Sequence, residues 1–212
     1  MGGVMSQRKG CQQMWLGILF LLCLVSNPAH AGWINKQGMP ISDSEDRKSN
    51  GNFGAQLIFV NDEQALFKKW ATPSETVAVD TVETVQINQP ISAFVIFSGC
   101  KASVAGNCNV SMRFRVIQPD GKVYSETPTM EVWRDKLAPS GQTLELSVHY
   151  LKVVVEPHEQ RGRYKIQAQV CDDNSGTVLV LDKTFTVIDS LPKKKHNNTV
   201  KRNAPKALRP LP

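Results

Sequence analysis

Beyond residue 32 the 212-residue chain has no apolar run of the roughly 20 residues a membrane-spanning helix needs. The longest candidate, Leu144 to Val155, is broken by His149 and Lys152 and alternates as a strand does. Histidine is scarce, and His149, His158 and His196 have no His, Cys or carboxylate at ligand spacing. Neither CxxC nor HxH occurs, so no metal or other cofactor is expected. The GxSxG elbow of serine hydrolases and a glycine-rich strand-to-helix turn for phosphate are absent as well. Cys171 with His149 is the one thiol–base pairing that can be posed, and a structural or bridged cysteine fits Cys171 better. Glu75, Asp80 and Glu83 cluster in sequence, which on alternating strands reads as a solvated face. The chain is expected not to be an enzyme; an enzyme of unrecognised type is the residual alternative.

What is present begins with residues 1–31, which have the three zones of a cleavable secretory signal in order. Arg8 and Lys9 supply the positive start, and Met14 to Val25 the apolar core. Ser26, Asn27 and Pro28 break that core before the small-x-small site Ala29-His30-Ala31. Cys23 follows Leu22 rather than a small residue, which argues against a lipid anchor there. The expected mature chain starts at Gly32, soluble and periplasmic or secreted.

The net charge of +6 is unevenly divided. From Gly32 to Ile188 there are 16 basic and 18 acidic residues, and after Ile188 seven basic residues face Asp189 alone. Residues 189–212, rich in Pro, Lys and Asn, are expected to form a disordered basic tail. Lys193, Lys194, Lys195, Lys201 and Arg202 would draw it to anionic lipid or glycan. A purely solubilising extension is the alternative. Nucleic acid is the least favoured partner, because the body of the chain is nearly neutral and the address is extracytoplasmic.

Three cysteines remain after the signal: Cys100, Cys108 and Cys171. An oxidising compartment favours one bridge among them. Cys100 and Cys108 flank a loop of small and polar residues, Lys101 to Asn107, and form the natural pair, leaving Cys171 free. The alternative has Cys171 bridged to one of the two.

Periodicity divides the rest. Residues 32–54 are polar and expected to be a flexible leader, with Trp33 and Ile34 as apolar exceptions. A strand at Ala55–Val60 precedes an Asn61-Asp62 cap and a helix from Glu63 to Ala71 ended by Pro73. Strands follow in succession. Val77–Val79 and Val82–Ile87 come first, and Ile91–Phe97 has the apolar run of a strand buried on both faces. Val110, Met112, Phe114 and Val116 alternate so that Arg113 and Arg115 face solvent. Pro119-Asp120-Gly121 is a tight turn before Lys122–Ser125, and Met130–Trp133 is a candidate edge strand. The alternation changes phase between Tyr150 and Leu151, a sign of a bulge. Two further strands run from Tyr164 to Val170 and from Val178 to Val187. Short strands with frequent turns and one short helix predict an all-β sandwich over residues 55–188.

Val155-Glu156-Pro157 followed by Gly162-Arg163-Tyr164 resembles the corner before the penultimate strand of immunoglobulin-like and fibronectin-like domains. The resemblance implies a tyrosine hydroxyl bonded back to the backbone near the proline. It lacks the antibody cysteine, since Ile166 stands two residues after Tyr164. Phe97-Ser98-Gly99-Cys100, Gly106-Asn107-Cys108 and Pro119 to Tyr124 also resemble segments of a group of uncharacterised exported proteins of Gram-negative bacteria. That resemblance implies a periplasmic address and assigns no catalytic residue.

The function expected is a non-enzymatic envelope protein that binds a protein partner or pairs with itself, by strand addition at Met130–Trp133. A small-ligand or glycan module stacking on Trp70, Trp133 and Tyr124 is the alternative.

Overall fold

The computed structural model describes residues 33–34, 37–72, 79–139 and 143–189. Its elements run β1 (Arg47–Asn50), β2 (Phe53–Val60), α1 (Glu63–Trp70), β3 (Thr84–Gln86), β4 (Pro90–Ser98) and β5 (Asn107–Ile117). They continue with β6 (Val123–Glu126), β7 (Met130–Leu137), β8 (Glu145–Leu146), β9 (Leu151–Val154), β10 (Gly162–Asp172) and β11 (Thr177–Ile188). The signal, the tail lysines with Arg202, and most of Val77–Val79 lie outside the described residues.

Two sheets pack face to face. One has the order β1-β2-β4, with β8 and β9 sharing the far side of β4. The other runs β3-β11-β10-β5, with β6 and β7 sharing the far side of β5. All ladders are antiparallel except β3 on β11. A two-sheet antiparallel arrangement with the short β3 parallel on the last strand, and Tyr164 at the start of the penultimate strand, is an immunoglobulin-like sandwich. The tyrosine hydroxyl donates to the Gln160 carbonyl at 2.7 Å, as the corner resemblance implied.

Period-two alternation builds the core. Val110, Met112, Phe114 and Val116 from β5 meet Tyr164, Ile166, Ala168 and Val170 from β10, with Phe59 and Phe185 closing edge to face at 5.8 Å. Arg113 and Arg115 face solvent as the alternation required. Strand β4 is buried on both faces because its outer face is also covered. There α1 and Trp33 lie over Ile58, Val60, Phe94 and Ile96. Asp62 caps the helix by accepting from the Ala65 N–H at 2.9 Å. Glu63 fixes its first turn to the sheet through Ser92 and Lys152. Burial pushes the Glu63 carboxyl up, but the hydrogen bonds from Lys152 and Ser92 outweigh it and hold the group below its usual range.

The leader is shorter than its composition implied. Order begins before Ala55, because β1 pairs with β2 from Arg47 and the Trp33 indole lies on Gly54. A polar strand such as Arg-Lys-Ser-Asn has no apolar signal of its own; its ladder partner supplies the order. The phase change in the 144–155 region is an interruption at 147–150, where buried Ser147 replaces a ladder residue by exchanging bonds with Val95. Position 183 departs from the pattern too. Leu179, Leu181, Phe185 and Val187 face inward, and Lys183 shares their phase. Its ammonium lies over the Phe59 ring, 5.8 Å from the centroid, and reaches Asp46 at the rim, 2.7 Å away.

Candidate functional site: the clamped end of the sandwich

One end of the sandwich gathers the disulfide, Trp133 and Cys171. Cys100 and Cys108 are bridged and Cys171 is free. The loop they close, 101–107, is folded on itself by the Ser103 N–H to the Asn107 carbonyl (2.7 Å) and the Gly106 N–H to the Ser103 carbonyl (2.9 Å).

The loop is also held from the neighbouring β10–β11 turn. Asp172 is only 1% exposed and forms no ion pair among the described residues. Its carboxylate instead accepts from the Lys101 N–H (2.9 Å), the Ser175 hydroxyl (2.7 Å) and the Asn174 N–H (3.2 Å). A buried carboxylate without a counter-ion is tolerated only when its lone pairs are filled in this way. The Asn174 amide then donates to the carbonyls of Lys101 (2.8 Å) and Asn107 (3.0 Å), gripping both ends of the loop. Nothing in the sequence marked Asp172 as buried, since an Asp-Asp-Asn-Ser-Gly run reads as a solvated turn.

Strand β7 completes the end. The Ala138 N–H bonds the Gly106 carbonyl, and the Asp135 N–H bonds the Asn109 side chain. Trp133 is half-buried, edge to face with Phe97 at 5.9 Å, with the Lys136 ammonium 4.8 Å over its ring. Glu145 lies nearby on β8; burial pushes its carboxyl up and the Lys136 charge opposes that. Two apolar side chains remain outside this framework: Val104 at the loop tip, fully exposed, and Leu137, 72% exposed beside Gly106.

The other expected site residues are dispersed. Trp70 belongs to the cluster under α1, on the opposite sheet from Trp133. Tyr124 is on β6, at the far half of β5, edge to face with Tyr164 at 6.3 Å. Its hydrogen bond to Glu159, with burial second, pushes the phenol up to about 12. The three aromatics therefore form no common stacking surface. A groove of about 230 Å³ beside α1, lined by Leu66, Lys69, Val79 and Asp80 among others, contains none of them. It is also smaller than the roughly 300 Å³ at which ligand pockets begin.

The Cys171–His149 pairing does not assemble, because Cys171 is on β10 and His149 lies between β8 and β9 in the other sheet. Burial, then the Asp173 carboxylate, pushes the thiol up to about 11, the opposite of an activated nucleophile. Among the described residues no three His, Cys, Asp or Glu side chains are placed to hold a metal. No described helix is long and apolar enough to cross a membrane.

Strand β7 was the edge expected to receive a partner strand, and its geometry opposes that. Its pairing with β5 is broken by two register shifts, and Asp135 has a positive φ of 50°. Glu131, Arg134, Asp135 and Lys136 line it with charge. Bulges and charges are the devices that keep an edge from pairing.

No family model matches the chain, and no curated protein matches it. Among solved structures it is similar to the CARDB domain of a Pyrococcus furiosus protein, at 13% identity over 70% of this chain and 100% of that one, TM-score 0.35. It is similar to the C-terminal domain of wzt, at 13% identity over 68% and 78%, TM-score 0.38. An immunoglobulin-like protein from Pseudomonas aeruginosa is 18% identical over 53% and 83%, TM-score 0.27. Likenesses at this level assign no function; the fold rests on the sheets themselves.

Proposed function

We propose that this chain is an exported, non-enzymatic interaction module of the bacterial envelope, and that its clamped loop receives a protein partner. The observation that carries the reading is the pairing of a buried, counter-ion-free Asp172 with a loop whose tip, Val104, is fully in water. The disulfide, the buried carboxylate and the bidentate asparagine stabilise the fold and also hold the loop in one conformation. A loop that binds gains affinity, because its ordering cost is met before the encounter. Val104 and Leu137 supply the apolar contact, Trp133 a rigid aromatic beside it, and Lys136 and Glu145 a charged border, the composition of a small protein-binding patch.

The signal-like start supports a periplasmic address, with the basic tail, Lys193 to Lys195 with Lys201 and Arg202, adding attraction to anionic lipid or glycan. Deleting Pro192 to Pro212 is expected to leave the melting temperature unchanged and to remove salt-sensitive adhesion to anionic vesicles. Equal adhesion by the two forms would reduce the tail to a solubilising extension.

The direct test replaces Val104 and Leu137 by aspartate together. In native envelope extract the unmodified protein is expected to migrate in a larger assembly and the variant as the free domain, with unchanged thermal stability. An assembly that survives the double substitution would refute the reading.

A further inference from the structure

A second surface, independent of the clamped loop, is the outer edge of the five-stranded sheet. The other edges are closed. On β1, the Ser44 N–H bonds the Arg47 carbonyl and the Ser49 N–H bonds the Asp43 side chain, so the chain's own loop occupies the free groups. Strand β3 is three residues long, β6 is shifted in register, and β7 is kinked and charged. Strand β9 is regular.

Which of its groups face outward follows from parity. Odd-numbered residues bond toward β4: Ser147 exchanges bonds with Val95, and the Val155 carbonyl accepts from Asn88 at 2.9 Å. Leu151 and Val153 share that phase, opposite Ala93 and Ile91. The backbone groups of Lys152 and Val154 therefore point away from the sheet, and among the described residues nothing bonds them. Exposed Leu144, Val148 and Val154 border this line. Lysine on an edge ordinarily repels a neighbour. Here the Lys152 ammonium is turned back onto Glu63 at 2.6 Å, so the edge is electrically quiet.

We infer that this edge pairs with the same edge of a second copy, antiparallel about a two-fold axis through Val153. In that register the outward groups of Lys152 face those of Val154 in the second copy, and the reverse, giving four backbone bonds with no group left over. The lysine stem then covers the exposed valine on the same face. An axis through Lys152 would set two lysines opposite one another, which is unfavourable. Four residues a side bury well under the roughly 1,200 Å² of a stable interface, so the dimer is weak and forms at high local concentration. Attachment of many copies to one surface by the basic tail, in the function proposed above, would provide that condition.

The test follows the mature chain from micromolar to millimolar concentration by sedimentation, with amide exchange read by NMR. The expected result is a concentration-dependent rise in mass, with the Lys152 and Val154 amides becoming protected as it occurs. Val154→Pro removes an outward N–H that the sheet does not use and is expected to weaken association about tenfold or more while the melting temperature holds. Val154→Lys, which places a lysine beside the partner's Lys152, should act likewise and serves if the proline variant unfolds. A chain that stays monomeric to millimolar concentration overturns the proposal. So does a dimer whose protection appears elsewhere, or one that both variants leave intact.

Discussion

The two ends of this sandwich are both tied down by hydrogen bonds, and they use that constraint in opposite directions. At the corner end, Tyr164 is fully buried and bonded to Gln160, while Arg161 holds the carbonyls of Pro157 and Glu159 and the Asp189 carboxylate. The large apolar group there faces inward, stacked on Phe185 at 5.4 Å. At the clamped end the buried group is a carboxylate, Asp172, and the apolar residues it helps to position, Val104 and Leu137, face out. A network that fixes a core contributes to stability. A network that fixes an exposed loop contributes to stability as well, and in addition removes motion that a partner would otherwise have to arrest.

Glycines break the comparison most sharply. Gly99 has φ +67°, and a methyl there would overlap the Asn52 carbonyl. Gly162 at the corner has φ +124°, and a methyl would meet the Pro119 ring at 3.3 Å, which can give. Gly99→Ala is expected to cost on the order of 3 kcal/mol or more in chemical denaturation, and Gly162→Ala less. Asp172→Ala comes next, at about 1–3 kcal/mol, because it takes the acceptor from the Lys101 and Asn174 N–H groups and the Ser175 hydroxyl. It should also speed amide exchange in residues 101–107 while leaving the corner unchanged. Tyr164→Phe removes one hydrogen bond and should cost about 1 kcal/mol without affecting the clamped loop. If Asp172→Ala instead loosens both ends equally, the ends are not separate units.

Alkaline titration gives a finer contrast, since each end holds an acid that keeps its proton longer when folded. The sign follows from the raised values: such a group stabilises the fold below its unfolded pKa and loses that contribution as pH rises through its folded one. For Cys171 the window runs from 9.0 to about 11, and for Tyr124 from 10.0 to about 12. Stability measured against pH should decline first through the clamped end, and Cys171→Ala should remove that earlier phase while leaving the later one.

Much of the architecture was legible because period-two alternation is a direct projection of a half-buried strand onto sequence. Strands β5 and β10 are the clearest cases, and the helix cap at Asp62 and the corner at Tyr164 follow from local chemistry. The site was less legible for three physical reasons. Asp172 is buried by neighbours 71 positions away in the chain, through Lys101, and no local pattern encodes that. The residues around Trp133 read as a plain pairing edge, but the strand is bulged, a property set by the register against β5 rather than by residue type. Lys183 sits in the inward phase of β11, and the parity of Leu179, Leu181, Phe185 and Val187 could have revealed it; the rim position that makes it tolerable is a matter of tertiary placement. The glycines of the three short motifs, Gly99, Gly106 and Gly121, all have positive φ, so those motifs mark turns rather than chemistry.

The central claim is that the clamped end faces a partner and the corner end does not, and two valines allow it to be tested on equal terms. Val104 stands at the loop tip and Val123, 53% exposed, stands on β6 toward the corner. A photo-reactive amino acid is placed at one or the other position in the full-length protein, and the native envelope is irradiated. The account predicts a discrete adduct with another polypeptide from position 104 and none from position 123. Adducts from 123 alone, the same adduct from both, or none from either would contradict it.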